Sequence, residues 1–162
     1  MRSFRRASSP TIEVRSGERV LAACESVDGV VLAGTRDALY LGSIRIPWEQ
    51  VGAADWDNES DVFRVSLVGS WGDDKVVHSF GLTEPGRLLE LVRERVTASV
   101  VLQRHVPLSS RRGLRVIGRR PPRGDAGIEW FFEYDEGVDP ADPAVRDASA
   151  AALAAARADV GL

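Results

Sequence analysis

From Arg104 to Arg123 the chain carries seven arginines and no acid, whereas Asp125 to Asp147 holds eight acids against one arginine. Guanidinium groups clustered like this suit planar, two-pronged recognition of phosphate or carboxylate. Arginine is also the dominant cation of the whole chain, since Lys75 is the sole lysine, so arginine counts by themselves carry reduced weight. Strand pairing decides how many of these charges are free. In GLRVIGRR and IEWFFEYD, joined by PPRGDAG, a turn centred near Arg123 and Gly124 pairs Arg115 with Glu133, Ile117 with Phe131 and Arg119 with Glu129, and sets Trp130 over Gly118. The arginines left over are Arg111, Arg112, Arg120 and Arg123, at the two ends of the hairpin. They are the candidate contacts for a partner or a nucleic acid, against the plainer reading of a solvated charged surface.

Other chemistry-bearing residues are sparse. Nucleophilic catalysis needs a base beside its nucleophile, and the two histidines, His78 and His105, both lie in strand patterns away from any G-x-S-x-G elbow. DWDNESD, from Asp55 to Asp61, offers carboxylates but fails the calcium-loop spacing, because Ser60 replaces the required glycine and Ser66 the twelfth ligand. It reads as a polar hairpin turn. Cys24 is the single cysteine, which excludes an internal disulfide or a thiolate cluster within one chain, and inside an apolar alternation it reads as a small buried side chain. No phosphate-binding or dinucleotide fingerprint occurs, so no cofactor is expected. Trp71, between glycines in GSWGDD, is either folded over the end of the strands or exposed as a contact residue.

The elements that must position these residues follow from punctuation. With 44% apolar and 28% charged residues the chain lies in the ordinary globular range, and 162 residues allow one domain with an extension or two small units sharing a face. Residues 1–16 have little apolar pattern and are expected to be a flexible basic arm. From Gly17, short apolar segments alternate with turns: ERVLAACES, VVLAGT, ALYLG, SIRIPWEQV, AADWD, DVFRVSLVG and KVVHSFGL. Such spacing predicts antiparallel hairpins, with Asp28-Gly29 the clearest turn. Thr83 and Pro85 are expected to cap and start a helix whose apolar stripe is Leu88, Leu89, Val92 and Val96. That helix gives way near Ala98 to alternation, and a strand follows through Leu108, although continuation to Arg104 is left open. The end, DPADPAVRDASAAALAAARADVGL, predicts an alanine-rich helix capped by Asp142 and Pro143, with Val145, Ala148, Ala152, Leu153, Ala156 and Val160 as its contact stripe.

Seven short strands followed by one helix resemble the bacterial pleckstrin-homology-like (PH-like or GRAM-like) domains. The residues that carry the resemblance are GTRDALYLG, RIPWEQVGAADWD and the helix PGRLLELVRERV. It covers about residues 17–98 and implies an antiparallel β-barrel capped by a helix. Phosphoinositide-binding members place basic residues around the first hairpin loop. Here that loop is Glu25, Ser26, Val27, Asp28 and Gly29, which is acidic, so phosphoinositide binding is not carried over.

The resulting expectation is an α+β protein: a flexible arm (1–16), a PH-like barrel with its capping helix (17–98), and a C-terminal antiparallel sheet with a helix packed on it (99–162). No apolar run approaches the roughly 20 residues needed to span a bilayer. The basic start lacks the apolar segment of a signal peptide, which reads as cytoplasmic. In function the expectation is a non-catalytic protein- or peptide-binding scaffold. An RNA- or DNA-binding accessory protein working through the arginine-rich hairpin is the first alternative, and an enzyme of unidentified chemistry the second.

Overall fold

The computed structural model describes residues 10–69, 76–109 and 111–162. Among these residues, ten strands form three antiparallel sheets, accompanied by two α-helices. β1 (Ala22–Glu25), β2 (Val31–Gly34), β3 (Ala38–Leu41) and β4 (Ile44–Pro47) make a four-stranded meander. A single 3-10 turn, Trp48–Gln50, leads into the second sheet, ordered β5 (Val51–Asp57), β6 (Val62–Leu67) and β7 (Val77–Gly81). The helix α1 (Leu88–Ser99) runs directly into β8 (Val100–Pro107). β9 (Gly113–Arg119) then lies between β8 and β10 (Glu129–Tyr134) in the third sheet, and α2 (Pro143–Asp159) ends the order of elements. No helix among the described residues is long and apolar enough to cross a membrane.

The turns explain the meander. Gly29 sits at φ +82° in the β1–β2 turn and Gly42 at φ +61° between β3 and β4, conformations that a side chain disfavours. The β5–β6 turn is closed by its own aspartate: Asp57 Oδ1 accepts from the amides of Glu59 (3.0 Å) and Ser60 (3.3 Å), and Oδ2 accepts from the Ser60 hydroxyl (2.7 Å). The acidic DWDNESD segment therefore builds a hairpin turn as its composition indicated.

Two sheets and α1 enclose the main core. Leu32, Leu39, Ile46, Trp48, Val51, Phe63, Val65, Leu88 and Val92 are buried there together. Trp48 is fully enclosed, and its indole Nε1 donates to the Thr35 carbonyl at 2.9 Å, so a large apolar side chain keeps its one polar atom satisfied. α1 packs closely on the meander at Gly34, where an added Cβ would stand 2.5 Å from Leu91 Cδ2. The expected closed barrel is not found. The meander and the β5–β7 sheet are separate, and the β1 side meets β7 through the Val27 amide, which donates to the Gly81 carbonyl (2.9 Å).

α1 begins at Leu88, later than Thr83 and Pro85 predicted, with Arg87 at its N-cap and no side-chain cap. The reason is local: Gly86 adopts φ +56°, a left-handed conformation that no α-helix can run through. Its other end matches the sequence to within a residue, since Ser99 is the last helical residue and Val100 the first of a strand.

The register of the third sheet is the one read from its turn, with Arg115 opposite Glu133, Ile117 opposite Phe131 and Arg119 opposite Glu129. Trp130 lies across Gly118, where a Cβ would come within 2.8 Å of the indole. α2 covers this face: Leu114, Val116, Ala152 and Ala156 are buried together, flanked by Trp130, Phe132, Tyr134, Ala148 and Leu153. Asp142 caps α2, its Oδ1 accepting from the Ala144 amide at 2.9 Å, and Pro143 occupies the first turn. The buried residues of the two units fall in separate clusters.

Residues 1–9 of the expected arm lie outside the described residues. Ile12 and Val14, in its latter half, pack on the outer side of the meander against Ala33, Ala38 and Tyr40. A carboxylate fastens this strap. Glu18, only 4% exposed at its side chain, accepts through Oε1 from the Thr35 hydroxyl (2.6 Å) and through Oε2 from the Tyr40 hydroxyl (2.9 Å) and Arg45 Nε (2.9 Å). Tyr40 in turn accepts from the Arg15 amide at 2.9 Å. Burial alone would raise the Glu18 carboxyl, but the hydrogen bonds from Thr35, Arg45 and Tyr40 outweigh it and hold it below the model-peptide value of 4.5. A depressed acid stabilises the fold above its unfolded-state pKa and loses that contribution as pH falls through its folded-state value. The stability difference between wild type and Glu18→Gln, read by urea unfolding, should therefore be constant near neutrality and shrink below about pH 4.5. A difference that stays level down to full protonation would show that the charge of Glu18 is not what fastens the strap.

Candidate functional site

Two features of the structure concentrate chemistry: a buried arginine at the junction of the units, and a groove beside it along α1. Arg119 ends β9 and is 3% exposed. Its register partner Glu129 is not its charge partner, which corrects the expected Arg119–Glu129 pair. The guanidinium reaches the other way, donating to the carbonyls of Trp48 (2.9 Å) and Val51 and to Ser99 Oγ (3.2 Å from Nε). The Ser99 hydroxyl donates in turn to the Val96 carbonyl at 2.6 Å, while the Ser99 carbonyl accepts from the Arg120 amide at 3.0 Å. Carbonyls at the C-terminal end of α1 carry partial negative charge, so this is an electrostatically favourable place for a cation. Burial pushes the Arg119 guanidinium below its usual value, with Glu49 and then Glu133 acting in the opposite sense.

The remaining arginines are dispersed. Arg115 does pair with Glu133 (3.3 Å), the arginine half-buried and the glutamate exposed. Arg123, at the β9–β10 turn, forms a two-pronged ion pair with Asp37 of the meander (3.0 and 2.7 Å), which holds the Asp37 carboxyl below the usual carboxylate range. Arg120 is exposed at that same end, whereas Arg111 and Arg112 are exposed near the start of β9. The length of β9, about 20 Å at roughly 3.3 Å per residue, separates the two groups. The structure thus joins Arg120 and Arg123 at one end and Arg111 and Arg112 at the other, without making one surface of the four. Trp71 lies outside the described residues.

The groove was not singled out by the sequence. β5 is an edge strand of the β5–β6–β7 sheet, and its inward side chains Ala54 and Trp56 face Leu89, Val92 and Val96 of α1 across a depression of about 450 Å³ floored by Phe63. A second depression of about 340 Å³, lined by Gly52, Val100, Gln103, Arg115 and Ile117, continues it past Val96 and Thr97, which border both. Gly52 is the extra residue of a β-bulge between Val51 and Ala53, and a Cβ there would come within 3.1 Å of the Leu67 carbonyl. Ala53 and Ala54, which open the predicted strand AADWD just after Gly52, are the one hint the sequence carried, since a strand that buries little of its own surface leaves room for something else.

Compared with protein-family models, characterised proteins and solved structures, the chain matches none.

The junction makes a direct prediction. Arg119→Met keeps much of the aliphatic bulk but leaves the Trp48 and Val51 carbonyls and Ser99 without their donor, at a cost of about 2–5 kcal/mol. Urea unfolding followed by tryptophan fluorescence measures it. A change below about 0.5 kcal/mol would mean the packed surfaces hold the units without the guanidinium.

Proposed function

We propose that the protein is a non-catalytic binding module that takes up an extended peptide segment of a partner protein along the free edge of β5, with alternate side chains entering the groove against α1. The observation that carries this reading is the edge position of β5 above an apolar depression lined by its own alternate residues, Ala54 and Trp56. An unpaired strand edge offers backbone donors and acceptors for another strand, and a groove beneath it reads the side chains of that strand at a period of two. Its size falls within the roughly 300–1,000 Å³ of ordinary ligand pockets. One large apolar side chain buried in it contributes about 1.5–3 kcal/mol, added to main-chain hydrogen bonds that are independent of sequence.

At the level of fold family, residues 17–98 are read as a PH-like unit. Four antiparallel strands, three more and a helix laid across both sheets support this reading. The nucleic-acid reading is less favoured, because Arg119 is buried, Arg115 and Arg123 are engaged by Glu133 and Asp37, and the others fall at opposite ends of β9.

Selection of random peptides displayed on phage against the folded protein tests the reading. Enriched sequences should share apolar residues at alternate positions, and they should bind Ala54→Arg at least about tenfold more weakly while its circular dichroism matches wild type. Failure to enrich any sequence, or equal binding to wild type and Ala54→Arg, would refute a β5 groove site.

A further inference from the structure

The N-terminal strap and the β9–β10 turn are fastened to the same three residues, Thr35, Arg36 and Asp37, which join β2 to β3. Thr35 is fully buried and donates its hydroxyl proton to Glu18 Oε1 at 2.6 Å, while its oxygen accepts from the amides of Asp37 and Ala38, both at 3.1 Å. Two residues on, the Asp37 carboxylate holds Arg123 at 3.0 and 2.7 Å. Trp48 ties the connection down, its amide donating to the Asp37 carbonyl (3.2 Å) and its indole to the Thr35 carbonyl (2.9 Å). The Trp48 carbonyl accepts in turn from Arg119, so the strand that leads into the β9–β10 turn reaches the same assembly. Both attached segments are lightly held elsewhere. Among the described residues, 10–14 of the strap and 121–127 of the turn make no backbone-to-backbone hydrogen bond. The strap adds only the apolar side chains of Ile12 and Val14 and the bond from the Arg15 amide to Tyr40. The turn is exposed from Arg123 to Gly127.

The Thr35 hydroxyl links the two. A hydroxyl that donates to a carboxylate is polarised, and the bonds its oxygen accepts are strengthened. With Glu18 in place, the Thr35 proton points away from the connection. Its alternative acceptor is the Ala38 carbonyl at 3.4 Å, which already accepts from the Thr35 amide at 2.9 Å. Loss of Glu18 turns the proton onto that poorer acceptor and weakens the two amide bonds that set the backbone of Asp37. Charge acts in the same sense, since the Arg123 guanidinium is held above its usual value first by Asp37, with Glu18 adding to it. We infer that the strap is a conformational control on the β9–β10 turn: docked, it fixes Asp37 and so holds Arg123, and displaced, it frees the turn. The coupling is reciprocal, because two events linked through one equilibrium bias each other equally. Neither Glu18, Thr35, Asp37 nor Arg123 lines the depression between β5 and α1, so the inference stands apart from peptide binding there.

Native-state hydrogen exchange and backbone order parameters of the isotopically labelled full chain, read by nuclear magnetic resonance, test it. Glu18→Gln should release the strap, seen as exchange of the Arg15 amide at least about tenfold faster than in wild type. The Asp37 and Ala38 amides should then exchange at least about threefold faster, and the order parameters of residues 123–127 should fall. Ile12→Asp detaches the strap through its apolar contact and leaves Glu18 and Thr35 unaltered in sequence; it should produce the same pattern. In the reverse direction, Arg123→Gln should speed exchange of the Arg15 amide. In all three variants the Phe63 and Val65 amides of β6 should keep their wild-type rates. Release of the strap with unchanged order parameters at 123–127 would overturn the inference. So would a strap that stays docked in both Glu18→Gln and Ile12→Asp, or faster exchange spread equally into β6, which marks a general loss of stability.

Discussion

The guanidinium of Arg119 is the interaction on which the joining of this chain depends. It answers carbonyls presented by the 3-10 turn and the start of β5, and a hydroxyl from the last residue of α1, so one side chain from the third sheet ties together three elements of the first unit. An apolar contact between the units would tolerate sliding. Hydrogen bonds from a planar group to fixed acceptors do not, because each loses strength steeply as its angle departs from linear. The arrangement carries the burden of any buried charge, since desolvation opposes it and no carboxylate stands in direct contact. What it supplies in return is a defined position of one sheet against the other.

That position matters for the depressions that Arg119 lines. Arg119 borders the continuation of the β5 groove and also a separate depression of about 360 Å³ between Glu49 and the β9–β10 turn. The groove is bounded at one end where the guanidinium occupies the Val51 carbonyl, which would otherwise belong to the open edge of β5. The third sheet is held to the first unit at Arg119 and again at Arg123, whose ion pair with Asp37 ties the β9–β10 turn to the meander.

Much of this architecture was legible in the residue order. Strands of four to seven residues separated by Gly and Asp gave antiparallel hairpins, and a turn fixed near Gly124 gave the register of β9 on β10, because alternation leaves only one set of apolar partners. The change from helix to strand near Ser99 was visible as a switch of period. What could not be seen was decided by tertiary contact. Arg119 alternates with apolar residues as an exposed strand residue does, and nothing near it in the chain announces acceptors about seventy residues away. The α1 start was misplaced because Thr83 and Pro85 have the chemistry of a cap, while Gly86 decides the backbone. Ile12 and Val14 were too few to form a pattern, yet they cover Tyr40 and Ala33. The β5 groove is a gap, and a gap between elements distant in sequence has no residues of its own to read.

The passage from α1 to β8 has one more consequence. Ser99 is helical and Val100 is already paired in a sheet, so no loop residue intervenes where the two units meet. Domain motions usually turn on a few residues free to change their backbone angles. Here the same backbone is wall of a groove at one end and rung of a ladder at the other, with the Ser99 side chain gripped by Arg119 at the point of change. A shift of α1 would be passed into the third sheet as strain along a continuous rod, leaving the crossing without a pivot.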